Sequence, residues 1–237
     1  MNTKILMEKA DALFAKQVNL LIVDDSPHIR DSLVNAFVSP LFNIAAADTL
    51  AAAEKTIATR TKWHCWLLDF DLARGQSGLT ILKSHKDFPF SMVLSGLRSM
   101  NLAADAMKLG ALGVFDKDPE KLEEVYHEVC KISALGYVLG GKPTQHFDAF
   151  ILLANDCSIA TVEAWAEKAN VTQRHLQRIC SLNTTAVPLY TIWLMRAIYY
   201  LLWNVPSSYE KELKNPRCGP DPQQEDFYLS CIENLVK

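Results

Sequence analysis

Five short apolar runs, each closing on a polar residue and each followed by an amphipathic stretch, constrain this chain more than its composition does. The first, Val18-Asn19-Leu20-Leu21-Ile22-Val23, ends in Asp24-Asp25. The others are Phe42 to Ala47, the run Trp66-Leu67-Leu68 closing on Asp69, Met92-Val93-Leu94 closing on Ser95-Gly96, and Val114-Phe115 with Lys117 just beyond. Runs of this length read as strands buried on both faces. Helical patterns separate them. Ser26-Pro27 reads as the N-cap and first residue of a helix with Ile29, Leu33, Val34 and Phe37 on one side. Asp48 or Thr49 caps a helix to about Arg60, and Gly75-Gln76-Ser77-Gly78 turns into one carrying Leu79, Ile81 and Leu82. A helix from about Asn101 stops at Gly110, and Pro119 opens the last, with Leu122, Val125, Val129 and Ile132. Strand and helix alternating five times demand a parallel sheet with helices on both faces.

At 237 residues the chain is long enough for two domains, and 49% hydrophobic with 22% charged residues is a globular balance. The breaker Gly140-Gly141-Lys142-Pro143 places a linker at 139–145, after an α/β domain at 18–138. Residues 146–205 read as entirely helical. From 206 the chain turns Pro-rich, with one short helix near Phe227 to Val236. Residues 1–17 form an extra helix with Ile5, Leu6, Lys9, Leu13 and Phe14 on one face, which packs on its own domain in preference to a dimer contact. The six cysteines (65, 130, 157, 180, 218, 231) contain no CxxC pair and read as reduced, buried small hydrophobes. Charges scattered through the first helix argue against a secretory segment, and the apolar run Thr191 to Trp203 is too short, and holds Arg196, for a membrane span. A soluble, cytoplasmic protein is expected.

In a parallel sheet the carboxyl ends of the strands share one edge, so Asp24, Asp25, Asp69, Ser95 and Lys117 should meet in one pocket. Three carboxylates repel one another unless a cation holds them, and hard oxygen ligands point to Mg²⁺. A lysine charge and a serine hydroxyl beside them would receive the oxygens of a phosphoryl group carried on one acid.

With these residues, 18 to about 135 resembles the receiver domain of bacterial two-component response regulators. The resemblance implies a flavodoxin-like, doubly wound fold in which Asp69 accepts a phosphoryl group from a histidine kinase or phosphotransfer protein. It also implies that Asp25, Asp69 and the Asp71 backbone carbonyl hold Mg²⁺, with Asp24 supporting the metal through water, and that Ser95 and Lys117 bind the phosphoryl oxygens. Two features depart from the family. The loop Leu72-Ala73-Arg74-Gly75-Gln76-Ser77-Gly78 lacks the usual proline and is one residue longer. Three residues before the lysine, where many receivers have an aromatic, stands Val114, with Phe115 next to it.

In the second half, Thr161 to Lys168 reads as a helix, Ala169-Asn170-Val171 as a tight turn, and Thr172 as the N-cap of a second helix with Leu176 and Ile179 inward. Gln173, Arg174, His175, Gln177 and Arg178 are then available outward, as in a helix-turn-helix reading DNA from Thr172 to Ser181. The order Trp165-Ala166, Val171-Thr172, His175-Leu176-Gln177-Arg178, Pro188, Tyr190 and Arg196-Ala197 resembles the first half of an AraC-type DNA-binding domain. No second helix-turn-helix follows, so the domain looks truncated. Nor is there a basic surround: residues 1–140 hold 15 Lys+Arg against 17 Asp+Glu (net −2), and the remainder 9 against 10 (net −1). A single small reader makes few phosphate contacts, so DNA binding would call for a homodimer or higher oligomer.

These readings converge on a response regulator, not an enzyme, that binds DNA under phosphorylation control and regulates transcription. The alternative is a regulator acting through protein–protein contacts, its helical domain never touching DNA. A third reading, a haloacid-dehalogenase-type phosphatase, takes Asp69-Phe70-Asp71 as its Asp-x-Asp pair but leaves Asp24, Asp25 and Lys117 without a part.

Overall fold

Along each central strand the side chains alternate between two apolar layers, and that alternation sets the architecture. The structure is a computed structural model and describes residues 3–37, 39–60, 62–96, 100–184, 186–203 and 225–236. Five strands, β1 (Val18–Val23), β2 (Phe42–Ala47), β3 (Cys65–Asp69), β4 (Ser91–Ser95) and β5 (Ala111–Asp116), form one sheet in the order β2-β1-β3-β4-β5. Every neighbouring pair is parallel. Strand order reverses between β1 and β3, which opens a crevice at their carboxyl ends.

Leu21, Val23, Leu68 and Val93 point into one layer, closed by Ala53, Ile81, Leu82 and Ala106. These come from α3 (Leu50–Ala58), α4 (Leu79–Ser84) and α5 (Met100–Lys108). Leu20, Ile22, Leu67, Met92 and Leu94 point the other way, onto α2 (Pro27–Ala36) and α6 (Leu122–Val138). That second layer does not stop at α6. It runs on without a break into α7 (Phe147–Asn155), α8 (Val162–Lys168), α9 (Gln173–Asn183), α10 (Pro188–Trp203), α11 (Glu225–Val236) and α1 (Thr3–Phe14).

Helix α6 makes this possible. Ten of its 17 residues are buried, more than one face can hold, so it is sandwiched between the sheet and the helical half. Tyr126 shows both sides: its ring stacks on Phe37 of the α/β half at 5.2 Å, and its hydroxyl donates to the Leu202 carbonyl of α10 at 2.7 Å. Each large apolar side chain fully buried in such a layer contributes about 1.5–3 kcal/mol. On α10, Arg196 is wholly buried and donates from Nη2 to the Asp156 carbonyl at 2.7 Å.

Several expectations need correcting in detail. The inward face of α1 is Leu6, Ala10 and Phe14, while Ile5 and Leu13 are about half exposed. The helix docks within its own chain, on α10 and α11. The segment 139–145 does not hang free. Leu139 is buried, the Gly141 amide donates to the Gly136 carbonyl at 2.8 Å, and a Cβ at Gly141 would stand 2.2 Å from the Trp63 carbonyl. Gly136 approaches as closely, with a Cβ there 2.0 Å from the His64 carbonyl. Pro119 opens a short 3₁₀ turn, Pro119–Lys121, before α6 begins. The late helix is Glu225–Val236, while the Pro-rich stretch 204–224, with Cys218, lies outside the described residues. The other five cysteines are free thiols, four of them buried. No single described helix is long and apolar enough to cross a membrane; α9 and α10 satisfy length and composition only as a pair bent by 61°.

Candidate functional site

The end of β1 delivers Asp24, and the end of β3 delivers Asp69, on either side of the switch point. Both are buried, at 0% and 1% exposure. Asp24 is held twice. Its Oδ1 accepts from the Ser26 amide at 2.9 Å, and its backbone carbonyl accepts from Arg30 Nη1 at 2.8 Å. Ser26 in turn caps α2, its hydroxyl accepting from the Ile29 amide, with Pro27 in the first turn where a missing N–H costs nothing. Asp69 Oδ1 accepts from the Asp71 amide at 3.1 Å, and the Asp69 carbonyl accepts from Gly78 at 3.1 Å.

Lys117, one residue past β5, reaches back between them. Its Nζ stands 2.7 Å from Asp24 Oδ2 and 2.6 Å from Asp69 Oδ2, with a side chain only 14% exposed. Lys117 thus holds both buried oxygens in a tight, charge-assisted contact. Burial pushes the Asp69 carboxyl up to about 6; the Lys117 ammonium pulls it part-way back, and the Asp24 charge opposes that. Burial pulls the Lys117 amine down, but the two carboxylates outweigh it and leave it above its ordinary value.

Ser95 closes β4, buried at 3%, and its carbonyl accepts from the Lys117 amide at 3.0 Å, which ties the ends of β4 and β5 together. Asp25 is half-buried, and its carboxylate lies with those of Asp24 and Asp69 so that one oxygen from each falls within 4.8 Å of the others. The structure therefore brings Asp24, Asp25, Asp69, Ser95 and Lys117 to one edge. Asp71 stands apart: its side chain is exposed, and only its backbone engages Asp69. Three converging carboxylates, each offering an oxygen within 4.8 Å of the others, are a donor set that suits Mg²⁺.

The lengthened loop is itself ordered. Asp71–Leu72 pairs antiparallel with Gln76–Ser77 across a tight turn in which Arg74 (φ 64°) and Gly75 (φ 70°) both adopt the left-handed region. Two contributors escaped the sequence reading. A Cβ at Gly78 would meet the Asp69 carbonyl at 2.2 Å, so the approach of the loop to the acid depends on the missing side chain. Arg30 holds the Asp24 backbone. The only signal for Gly78 was its place in a Gly75-Gln76-Ser77-Gly78 string, and Arg30 gave none. Of the pair at β5, Val114 packs with the α3–α5 layer and Phe115 with the α6 layer, its ring folded onto Gly113.

The response regulator receiver domain model matches residues 20–129. Residues 20–129 are a receiver domain. Among solved structures, a CheY-like receiver protein from Methanospirillum hungatei is similar at 22% identity, over 48% of this chain and 94% of its own, with a TM-score of 0.40. A Burkholderia pseudomallei response regulator, with a phosphorylated aspartic acid, calcium and citrate, is 21% identical over 68% of this chain and 96% of its own, TM-score 0.40. The Thermotoga maritima regulator TrrA, in complex with Mg²⁺ and BeF, is 20% identical over 48% and 97%, TM-score 0.41. No curated protein matches the chain significantly. Asp24, Asp25, Asp69, Ser95 and Lys117 all lie within the matched residues.

Beyond the receiver domain, Asn170 (φ 52°) makes the turn between α8 and α9, and Thr172 Oγ1 caps α9 by accepting from the His175 amide at 3.1 Å. Leu176 and Ile179 are buried, while Thr172, Gln173, Arg174, Gln177 and Arg178 are exposed. His175 is not on that outward face. It is half-buried, its ring edge-on to His146 at 5.7 Å, with a buried Nε2 that lacks a partner.

Proposed function

We propose that the chain is a response regulator whose receiver domain accepts a phosphoryl group on Asp69 and passes the change to its helical half. The observation that carries this reading is Lys117 held between Asp24 and Asp69 at the β1/β3 switch point. Burial raises the Asp69 carboxyl to about 6, still below neutral pH, so the carboxylate form that attacks is present there. Asp69 Oδ forms the new bond to phosphorus as the bond to the donor, a histidine nitrogen of a kinase or phosphotransfer protein, breaks. Lys117 and the Ser95 hydroxyl receive the phosphoryl oxygens. Mg²⁺, held by the Asp25 and Asp69 carboxylates and the Asp71 carbonyl, with Asp24 acting through water, would neutralise charge in the transfer. Incubation with Mg²⁺ and labelled acetyl phosphate tests it: wild type takes up one label, and Asp69→Asn takes up none. Unlabelled wild type would overturn the reading.

The output is DNA. Residues 146–205 are the output unit, α9 is the reading helix, and Gln173, Arg174, Gln177 and Arg178, with Thr172 at its start, are the contacting set, and the half-buried His175 drops out of it. Two copies of the chain supply the phosphate contacts that one lacks. Footprinting on DNA upstream of its own gene, with and without acetyl phosphate, should show protection that is lost in Arg174→Ala/Arg178→Ala with the fold intact. The second reading, output through a protein partner, is favoured by the near-neutral charge of both halves. Absence of salt-dependent DNA affinity in either phosphorylation state would select it.

A further inference from the structure

At the opposite, amino-terminal edge of the sheet lies a crevice of about 940 Å³ that plays no part in phosphoryl transfer. Its walls come from the end of α1, the first residues of β1 and β2, the segment before β3, the turn after α6, and the α9–α10 connection. It is thus the seam between the receiver domain and the helical half. Its volume is that of a small-molecule site.

Its charge is one-sided. Lys16, Lys62 and Lys142 line it, all exposed, and no aspartate or glutamate does. None of the three makes an ion pair with a carboxylate among the described residues. In a chain of net charge −3 this is a local reversal, and cations gathered in a concave wall focus positive potential into it. Lys16 is held there in the left-handed region, φ 56°, by a bond from its amide to the Pro40 carbonyl at 2.8 Å. That conformation is one a lysine rarely adopts, and such positions persist where the surroundings demand them.

The floor is polar and rigid. Asn43 Nδ2 donates to Asn19 Oδ1 at 2.9 Å, Asn19 Nδ2 donates to the Lys62 carbonyl at 2.9 Å, and Arg60 donates to the Asn43 carbonyl at 2.9 Å and to Asn43 Oδ1 at 3.2 Å. Behind them His64 Nδ1 accepts from the Asn19 amide at 2.9 Å, so the neutral ring carries its proton on Nε2 as a donor. The apolar side is aromatic. Tyr137 is fixed by its hydroxyl, which donates to Gln17 Oε1 at 2.6 Å, and by edge contacts to Phe14 and His64, while Tyr190 is 41% exposed.

We propose that this crevice binds a small organic phosphate with a planar ring, nucleotide-like in chemistry, its phosphates on Lys16, Lys62 and Lys142 and its ring against Tyr190. Bound there, such an anion would touch both halves of the chain at once, which is the geometry of an effector that stiffens or shifts their seam. The site is independent of the phosphorylation chemistry, so its failure leaves that reading standing.

Calorimetric titration of the full chain with ATP, adenosine and pyrophosphate, in EDTA to silence the acidic pocket, tests it. ATP should bind saturably and more weakly as salt rises, and adenosine should not bind. Lys62→Gln/Lys142→Gln, surface changes that keep the melting curve, should weaken ATP about tenfold or more, the scale of one lost charge-assisted hydrogen bond. Tyr190→Ala should weaken ATP and leave pyrophosphate unchanged. ATP affinity unaltered by the lysine pair would overturn the site, and pyrophosphate binding as tightly as ATP would overturn the ring contact.

Discussion

The two ends of one sheet carry opposite chemistry. At the carboxyl edge two fully buried aspartates and a half-buried third face one lysine; at the amino edge, among the described residues, three lysines line a crevice that no acid lines and none of them is ion-paired. The first arrangement is enclosed, so its electrostatics are strong and its occupants few. The second is open and spans the seam between the halves, so its charges act on whatever diffuses in. The difference teaches that one parallel sheet can hold an acidic pocket and a basic surface apart by the length of its strands, with β1 as the shared member.

The largest test of that contrast is a pair of glycines, one at each edge. Gly136→Ala places a Cβ 2.0 Å from the His64 carbonyl, where helix and sheet cannot both stay. We expect a loss of about 3 kcal/mol in chemical denaturation, the upper range for overpacking, felt by both halves in one transition. Gly78→Ala places a Cβ 2.2 Å from the Asp69 carbonyl and acts on the acid itself, slowing acetyl phosphate labelling about 10²-fold. Wild-type stability in the first, or a wild-type rate in the second, would break the comparison.

The edges should also titrate in opposite senses. His64 is pulled down to about 4 by burial and by Lys62, so it stays neutral in the fold while the unfolded chain takes a proton near 6.5. Its contribution to stability is whole above 6.5 and is lost as pH falls towards 4. Asp69, pushed up to about 6, takes its proton in the fold well above the unfolded value of 3.8, so stability is gained as pH falls from 6 towards 4. The two act in opposite directions in wild type. Asp69→Asn should then lose about 1 kcal/mol per pH unit between 6 and 4, and His64→Gln should gain by a similar slope. Parallel slopes for the two variants would refute the assignment.

The smallest effect is on the loop. Asp71 carries an exposed carboxylate two residues from the acceptor, and Asp71→Asn should change the lifetime of the phosphorylated state by about two- to fivefold while leaving labelling intact. An unchanged decay would remove its charge from the mechanism.

The α/β fold was open to reading because each strand announced itself twice, by an apolar run and by the polar residue closing it. Asp24, Asp69, Ser95 and Lys117 were found for the same reason: strand ends are places that a parallel sheet brings together. What stayed hidden had no periodic signature. Gly78 and Gly136 matter through side chains they lack, and Arg30 through a bond to a backbone carbonyl. The face of α1 was misjudged because Ile5 and Leu13 share its helical spacing, and only the position of α11, far away in the chain, decides that Ala10 turns inward instead. The union of the halves through α6 was invisible for a further reason. A helix buried on two sides and one beginning a new domain both read as rich in apolar residues.

The docking of α1 on α11 carries a consequence for synthesis. Leu6, Ala10 and Phe14 are translated well before α11, the helix on which α1 chiefly packs, which begins more than 200 positions later. At about 5–20 residues per second the apolar face of α1 waits roughly 10–40 s for its partner. Through that interval the growing chain carries the apolar stripe of α1 open, and the stripe closes only once α11 has been translated.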